Sequence, residues 1–101
     1  MVKSKYEIIW DDEARDYFKT AIRYIKKESP QGARTVRIEI LKTVKSITGN
    51  PFIFEPDRLR KDNAGDFRAF TVFHFRIAYR VAGDHIQVVR MRHTSQEPLE
   101  Y

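Results

Sequence analysis

The sequence contains no cysteine, only four glycines, and no apolar run long enough to cross a membrane. Without cysteine the chain can form no disulfide, thiolate nucleophile or cysteine zinc site. It has no glycine-rich phosphate loop, and its three histidines lack metal-ligand spacing, so we expect no metal and no cofactor. No apolar leader segment follows residues 1–5, which predicts a cytoplasmic protein with no membrane partner.

The composition combines core-forming residues with an excess of basic ones. The 101 residues are 42% hydrophobic and 13% aromatic, which suits one domain over residues 1–101. Lys and Arg number 19 against 14 Asp and Glu, a formal net charge of +5. This imbalance favours a polyanionic or acidic partner without identifying it.

Two amphipathic helices are predicted in the first half of the chain. A short β-type run at residues 6–10 precedes Asp11 and Asp12, which are good helix N-cap residues. Ser29-Pro30 then pairs a cap with a proline at a first helical position. The apolar residues recur at helical spacing on both sides of this pair: Ala14, Tyr17, Phe18, Ala21, Ile22 and Ile25, then Ala33, Val36, Ile40, Val44 and Ile47.

Three strands are predicted in the second half, after an irregular basic loop over residues 52–66. Residues 67–73, 75–81 and 85–92 are rich in aromatic and β-branched side chains. Gly83-Asp84 suits a two-residue hairpin loop between the last two strands. The predicted architecture is β-α-α-β-β-β, an α+β domain whose helical hairpin packs on one face of a mostly antiparallel four-stranded sheet.

The hairpin loop also predicts which side chains share a face. A two-residue loop places Ala82 opposite His85, and directly opposed residues lie on the same side of a sheet. Continuing this count brings Arg76, Arg80 and His93 to one exposed cationic face, while the apolar residues of both strands face the helices.

The predicted facing of three other arginines is less simple. Arg90 and Arg92 fall on the apolar face, where their side chains would have to reach past the helices to water. The turn between Phe70 and Phe75 has no clear signature, so the facing of Arg68 stays open.

The chain resembles a known family, the RelE/ParE superfamily of bacterial toxins. The resemblance rests on the element order, Trp10, Ser29-Pro30, the strand at residues 75–81 and the Arg92-His93 pair, and it covers essentially the whole chain. It implies a small toxin held inactive by a cognate antitoxin. Such a toxin acts either as a ribosome-dependent mRNA endonuclease, with ribosome and mRNA as partners, or as a poison of DNA gyrase.

The resemblance also implies roles for particular residues. Arg76 matches a third-strand arginine that contacts the scissile phosphate in the ribonuclease branch. Glu55 resembles a general-base glutamate and His93 a C-terminal histidine of YoeB-like members, each with a small offset. Tyr101, after residues 97–100, lies about where RelE-like members carry a tyrosine.

Metal-free RNA cleavage needs a base, an acid and donors that stabilise the phosphorane charge. The candidate catalytic set therefore has Glu55 or His93 as base, the other or Tyr101 as acid, and Arg76 as the charge-stabilising group. The candidate RNA-binding residues are Arg58, Arg60, Lys61, Arg68, Arg80 and Arg92.

The sequence also departs from both ribonuclease patterns. Thr94 replaces a tyrosine of the YoeB-like members, and Phe67 and Ala69 stand where RelE-like members have lysines. Three interpretations stay open: an mRNA endonuclease, which the retained candidates favour; a gyrase poison that acts by binding; and a degenerate member that only binds its antitoxin.

Overall fold

The fold places two helices and four strands in the predicted order. The computed structural model describes residues 6–96 and 99–101. Residues 1–5, on which the expected lack of a leader rests, and residues 97–98 lie outside these ranges. The elements are β1 (Glu7–Trp10), α1 (Asp12–Glu28), α2 (Pro30–Ser46), β2 (Phe67–Val72), β3 (Phe75–Ala82) and β4 (His85–His93). The predicted β-α-α-β-β-β architecture is confirmed.

Ser29 both ends α1 and begins α2. Its backbone N–H donates to the carbonyl of Ile25 at 2.9 Å, and its side-chain oxygen accepts from the N–H of Gly32 at 2.9 Å. Pro30 occupies the first turn of α2, where its missing N–H costs no hydrogen bond. The local sequence therefore sets the sharp turn between the two helices.

The sheet is mixed and has the strand order β1-β4-β3-β2. β1 runs parallel to β4, and the other two pairs are antiparallel. The helical hairpin covers one face, which we call the helix-side face, and the opposite side is the open face. The largest fully buried apolar side chains are Ile40, Ile47, Ile77, Tyr79, Ile86, Val88 and Met91. No helix in the described ranges is long and apolar enough to span a membrane.

The basic loop before β2 is not wholly irregular, because part of it covers the outer edge of β2. Pro56 forms an isolated antiparallel bridge with Arg68. On either side, the N–H of Asp57 donates to the carbonyl of Phe67 at 2.8 Å, and that of Ala69 to the carbonyl of Glu55 at 3.3 Å. This bridge fixes the loop against the sheet.

The β3–β4 hairpin turns as predicted but contains a β-bulge. Gly83 has a φ of 58°, a conformation glycine adopts without strain, and Ala82 lies opposite His85. The register then shifts, with Tyr79 opposite Val88 but Ala78 opposite Arg90. One extra residue in β4 is left without a partner, as expected at a bulge.

The bulge overturns the predicted partners of Arg76 and His93. Arg76 lies opposite Arg92, and His93 lies opposite Phe75, on the other side of the sheet. The prediction that Arg76 and His93 share a face is therefore wrong. The assignment of Arg90 and Arg92 to the apolar face is also wrong, because both lie on the open face with Arg76.

The β2–β3 turn settles the facing of Arg68. Phe73 and His74 form a two-residue turn, with Phe73 at a φ of 54°, and Val72 lies opposite Phe75. Arg68 is therefore opposite Tyr79 on the helix-side face. It does not join Arg76 on the open face.

Because of Tyr79, we expect the free energy of unfolding to fall at alkaline pH. Its hydroxyl donates to the carbonyl of Pro51 at 2.6 Å, and burial raises its pKa to about 12. An unfolded tyrosine ionises near pH ~10, so the contribution of this phenol is complete below that pH and is lost as the pH rises through about 12. Urea unfolding on either side of this window should show a smaller alkaline loss for Tyr79→Phe than for wild type. Equal losses in the two proteins would contradict the role of Tyr79.

Candidate functional site

A buried carboxylate, Asp57, organises the open face. Asp57 is 2% exposed and accepts three hydrogen bonds. The Nη2 of Arg76 lies 2.5 Å from one carboxylate oxygen, which also accepts from the N–H of Leu59 at 3.0 Å. The hydroxyl of Tyr101 donates to the other oxygen at 2.6 Å. These groups offset the cost of burying the charge.

Tyr101 is held in place by its backbone as well as by its phenol. Its N–H donates to the carbonyl of Leu59 at 2.9 Å, and its carbonyl accepts from the N–H of Lys61 at 2.7 Å. Burial, reinforced by Asp57, raises the pKa of Tyr101 well above its usual range. The phenol is therefore protonated at neutral pH and acts here as a donor to Asp57.

A cavity of about 360 Å³ opens beside this cluster. Among the described residues, its lining includes four arginines, Arg58, Arg76, Arg90 and Arg92, and one acidic residue, Asp57. The Nη1 of Arg90 donates to the carbonyl of Leu99 at 2.7 Å. The cavity is cationic, which suits an anionic ligand.

The predicted catalytic residues are only partly brought together. Asp57 joins Arg76 to Tyr101, whereas Glu55 is exposed and does not line the cavity. His93 borders the cavity, but its ring stacks on His74 with centroids 5.7 Å apart.

The imidazole of His93 is also engaged locally. Its Nδ1 accepts from the N–H of Ser95 at 3.0 Å and lies 2.7 Å from the Ser95 hydroxyl oxygen. The ring meets Phe75 edge-on at 5.3 Å between centroids. These contacts belong to the end of β4 and do not involve the Asp57 cluster.

Two of the predicted RNA-binding arginines on the open face have acidic partners. Arg80 pairs with Asp66 at 3.0 Å, and this hydrogen bond lowers the pKa of the Asp66 carboxyl. Arg92 pairs with Glu13 at 3.2 Å. Glu13 is largely exposed, so the pair with Arg92 contributes little to stability.

Arg68 has a structural position. Its Nε donates to the carbonyl of Gly65 at 2.8 Å and its Nη1 to that of Phe54 at 2.9 Å. Its guanidinium carbon lies 4.9 Å from the centroid of the Phe52 ring. Arg68 thus ties the basic loop to β2 on the helix-side face, away from the predicted RNA-binding surface.

A second cavity, of about 560 Å³, lies on the helix-side face and is almost wholly apolar. Tyr17, Ala21 and Tyr24 of α1 form one wall, and Phe73 and Phe75 form the other. Tyr24 is 68% exposed and Phe73 53% exposed, which is unusual for large apolar side chains on neighbouring elements. We call this feature the apolar groove.

Sequence reasoning missed Asp57, although one signal was available. It is an acidic residue two positions after Glu55, between Pro56 and Arg58 in the loop before β2. In the part of the chain that the structure describes, no group of three His, Cys, Asp or Glu residues could hold a metal ion.

A helical hairpin packed on a mixed four-stranded sheet, in the order β-α-α-β-β-β, is the fold of RelE/ParE-like toxins. The family model for the ParE toxin of the type II toxin-antitoxin system parDE matches residues 8–98. The chain belongs to this family of toxins.

Two solved structures share this fold. One, from the chromosomal ParDE toxin-antitoxin system of P. aeruginosa, has a TM-score of 0.71 and 19% identity, and the match covers 90% of this chain and 98% of that one. Another, the YoeB dimer from Staphylococcus aureus, has a TM-score of 0.55 and 20% identity, with 84% and 92% covered. No curated protein matches the sequence.

Proposed function

We propose that this toxin acts by binding, as a non-catalytic poison of DNA gyrase, and not by cleaving mRNA. The observation that carries the proposal is the engagement of Arg76 by the buried carboxylate of Asp57. A guanidinium that already balances a carboxylate at 2.5 Å contributes less positive charge to a scissile phosphate.

The remaining ribonuclease candidates do not complete a catalytic site. General acid and base catalysis requires groups within hydrogen-bond reach of the same substrate atoms. Glu55 lies outside the cationic cavity. His93 borders this cavity, but it lies opposite Phe75, on the other side of the sheet from Arg76, and its Nδ1 is engaged by Ser95. Phe67 and Ala69 stand in place of the lysines of RelE-like members, which is a further argument against a ribonuclease. The membership of the ParE toxin family supports gyrase as the target.

The proposal is tested by incubating the purified toxin with gyrase, ATP and supercoiled plasmid. We expect linear DNA to accumulate after the reaction is stopped with detergent and protease, because a poison traps the cleaved complex. Messenger RNA in a translation extract should stay intact. Cleaved mRNA without linear DNA would refute the proposal.

Glu55→Gln separates the two mechanisms in the same assays. A general base contributes about 10²–10⁴-fold to the rate, so an mRNA endonuclease should lose most of its activity. A binding toxin should retain its effect on gyrase within about twofold, because Glu55 is exposed and lies outside both cavities.

We also propose that the apolar groove binds the antitoxin. The apolar face of one antitoxin helix would pack into it. Tyr17, Ala21 and Tyr24 lie at the spacing of one face of α1, which is the arrangement met in helix-in-groove recognition. One of the solved relatives is itself described as a toxin-antitoxin system.

A further inference from the structure

Arginines alternate with aromatic rings across the open face. The guanidinium carbon of Arg60 lies 4.1 Å from the centroid of the Phe67 ring and 5.2 Å from that of Tyr101. Arg80 lies 5.5 Å from Phe67 on the outer side, and Arg90 lies 4.6 Å from Tyr101. We call this series, Arg80, Phe67, Arg60, Tyr101 and Arg90, the arginine–aromatic ladder.

Arg60 and Arg90 pack against the rings of the ladder, and neither forms an ion pair in the described ranges. Phe67 and Tyr101 meet edge-on, with centroids 6.3 Å apart. Within residues 6–96 and 99–101, no carboxylate lies within ion-pair distance of Arg60 or Arg90, although Arg76 and Arg80 are paired. The guanidinium of Arg60 has no hydrogen-bond partner in the same ranges. A guanidinium stacked on rings loses little further side-chain entropy when it binds a planar or tetrahedral anion.

We infer that the ladder binds the phosphodiester backbone of a nucleic acid strand directly. Phosphate oxygens match the N–H groups of Arg60 and Arg90, and guanidinium planes held against aromatic rings offer surfaces on which bases can stack. Arg58 and Lys61 extend the positive charge beside the ladder. The assignment of the strand as DNA rests on the proposed function, since a gyrase poison meets DNA in the cleaved complex. Direct DNA contact goes beyond that function, because a poison can act through the enzyme alone.

An acidic protein segment is the competing class of ligand, and the ladder favours a nucleic acid over it. Carboxylates pair with guanidinium groups but bring no ring to stack on the guanidinium planes. Stacking of bases on arginine side chains adds binding free energy that a polyglutamate chain lacks.

The test measures anisotropy of labelled single-stranded DNA, duplex DNA and single-stranded RNA of equal length. The variant combines Arg60→Ala with Arg90→Ala. Its matched control combines Arg34→Ala with Lys42→Ala, two exposed residues of α2 on the helical layer, and removes the same charge. We expect the ladder variant to weaken DNA binding at least tenfold and the control less than about threefold. The dependence of log affinity on log salt should fall by about 1.5 for the ladder variant, as for the loss of two phosphate contacts.

Other outcomes would overturn the inference. Equal losses of DNA affinity in the two double variants would show that DNA is attracted by net charge and not bound by the ladder. Competition by polyglutamate as strong as that by an oligonucleotide of equal charge would assign the ladder to a protein partner. RNA binding at least tenfold tighter than binding to either DNA would overturn the choice of DNA. Circular dichroism and urea unfolding establish that the variants are folded.

The gyrase assay separates this inference from the proposed function. If the ladder variant loses oligonucleotide binding and also traps less linear DNA, both stand. If the ladder variant loses oligonucleotide binding but poisons gyrase like wild type, the ladder does not contact DNA in the cleaved complex, so the assignment of its ligand as gyrase-bound DNA is refuted while the proposed function stands. If the wild-type toxin binds DNA but yields no linear DNA with gyrase, the proposed function fails. The inference that the ladder binds a nucleic acid then still stands.

Discussion

Replacement of Asp57 by alanine is expected to destabilise the protein by about 3 kcal/mol, near the lower end of the range for breaking a buried ion pair. The lower end applies because the Arg76 side chain is 26% exposed and water can partly replace its lost partner. The substitution also removes the acceptor for Tyr101 and for the N–H of Leu59. Urea denaturation with circular dichroism measures the change in the free energy of unfolding.

Two variants make the Asp57 experiment specific. Tyr101→Phe removes one of the three hydrogen bonds and should cost about 1 kcal/mol. Asp66→Asn breaks the more exposed pair with Arg80 and should cost less than about 1 kcal/mol. A loss for Asp57→Ala no larger than that for Asp66→Asn would show that the buried pair does not hold the basic loop to β3.

The sequence predicts most of the fold because its signals are local. Ser29-Pro30 determines the break between the helices, and Gly83-Asp84 determines the β3–β4 turn. Each needs only neighbouring residues and their backbone preferences. The alternation of apolar and polar residues on either side of these signals then assigns the faces of the helices and of β3.

The site was harder to predict because it depends on one extra residue and on contacts distant in sequence. The bulge after Val88 has no residue signature, yet it reverses the facing of every later position of β4. The partners of Asp57 are 19 and 44 residues away, at Arg76 and Tyr101. No periodic pattern links positions that only the folded loop brings together. A count that assumes regular pairing therefore assigns His93 to the wrong face.

The bulge also explains how β4 serves two surfaces. It leaves Met91 fully buried against Ile77 while Arg90 and Arg92 project from the open face. Regular pairing would bury two charged side chains and expose Met91, at a cost of several kcal/mol. The cationic cavity and the hydrophobic core therefore depend on the same irregularity.

Substitution of Tyr24 by aspartate is expected to weaken antitoxin binding about 100-fold, or about 2.7 kcal/mol. Tyr24 is 68% exposed on the apolar groove, so its replacement removes an aromatic contact and places a charge where we propose that an apolar helix face packs. Calorimetry with the cognate antitoxin measures the change. In cells, the variant should arrest growth even when the antitoxin is co-expressed.

Ile38→Asp provides the matched control, because Ile38 is an exposed apolar residue of α2, 51% accessible, that does not line the groove. It should bind the antitoxin within about threefold of wild type, as expected for a surface position outside the interface. Both variants should keep the proposed effect on gyrase, because neither position lies on the open face, where we infer that DNA binds. If Ile38→Asp weakens binding as much as Tyr24→Asp does, the antitoxin does not dock in the groove. If Tyr24→Asp abolishes the effect on gyrase, the groove contacts gyrase as well, and the antitoxin neutralises the toxin by covering the same surface.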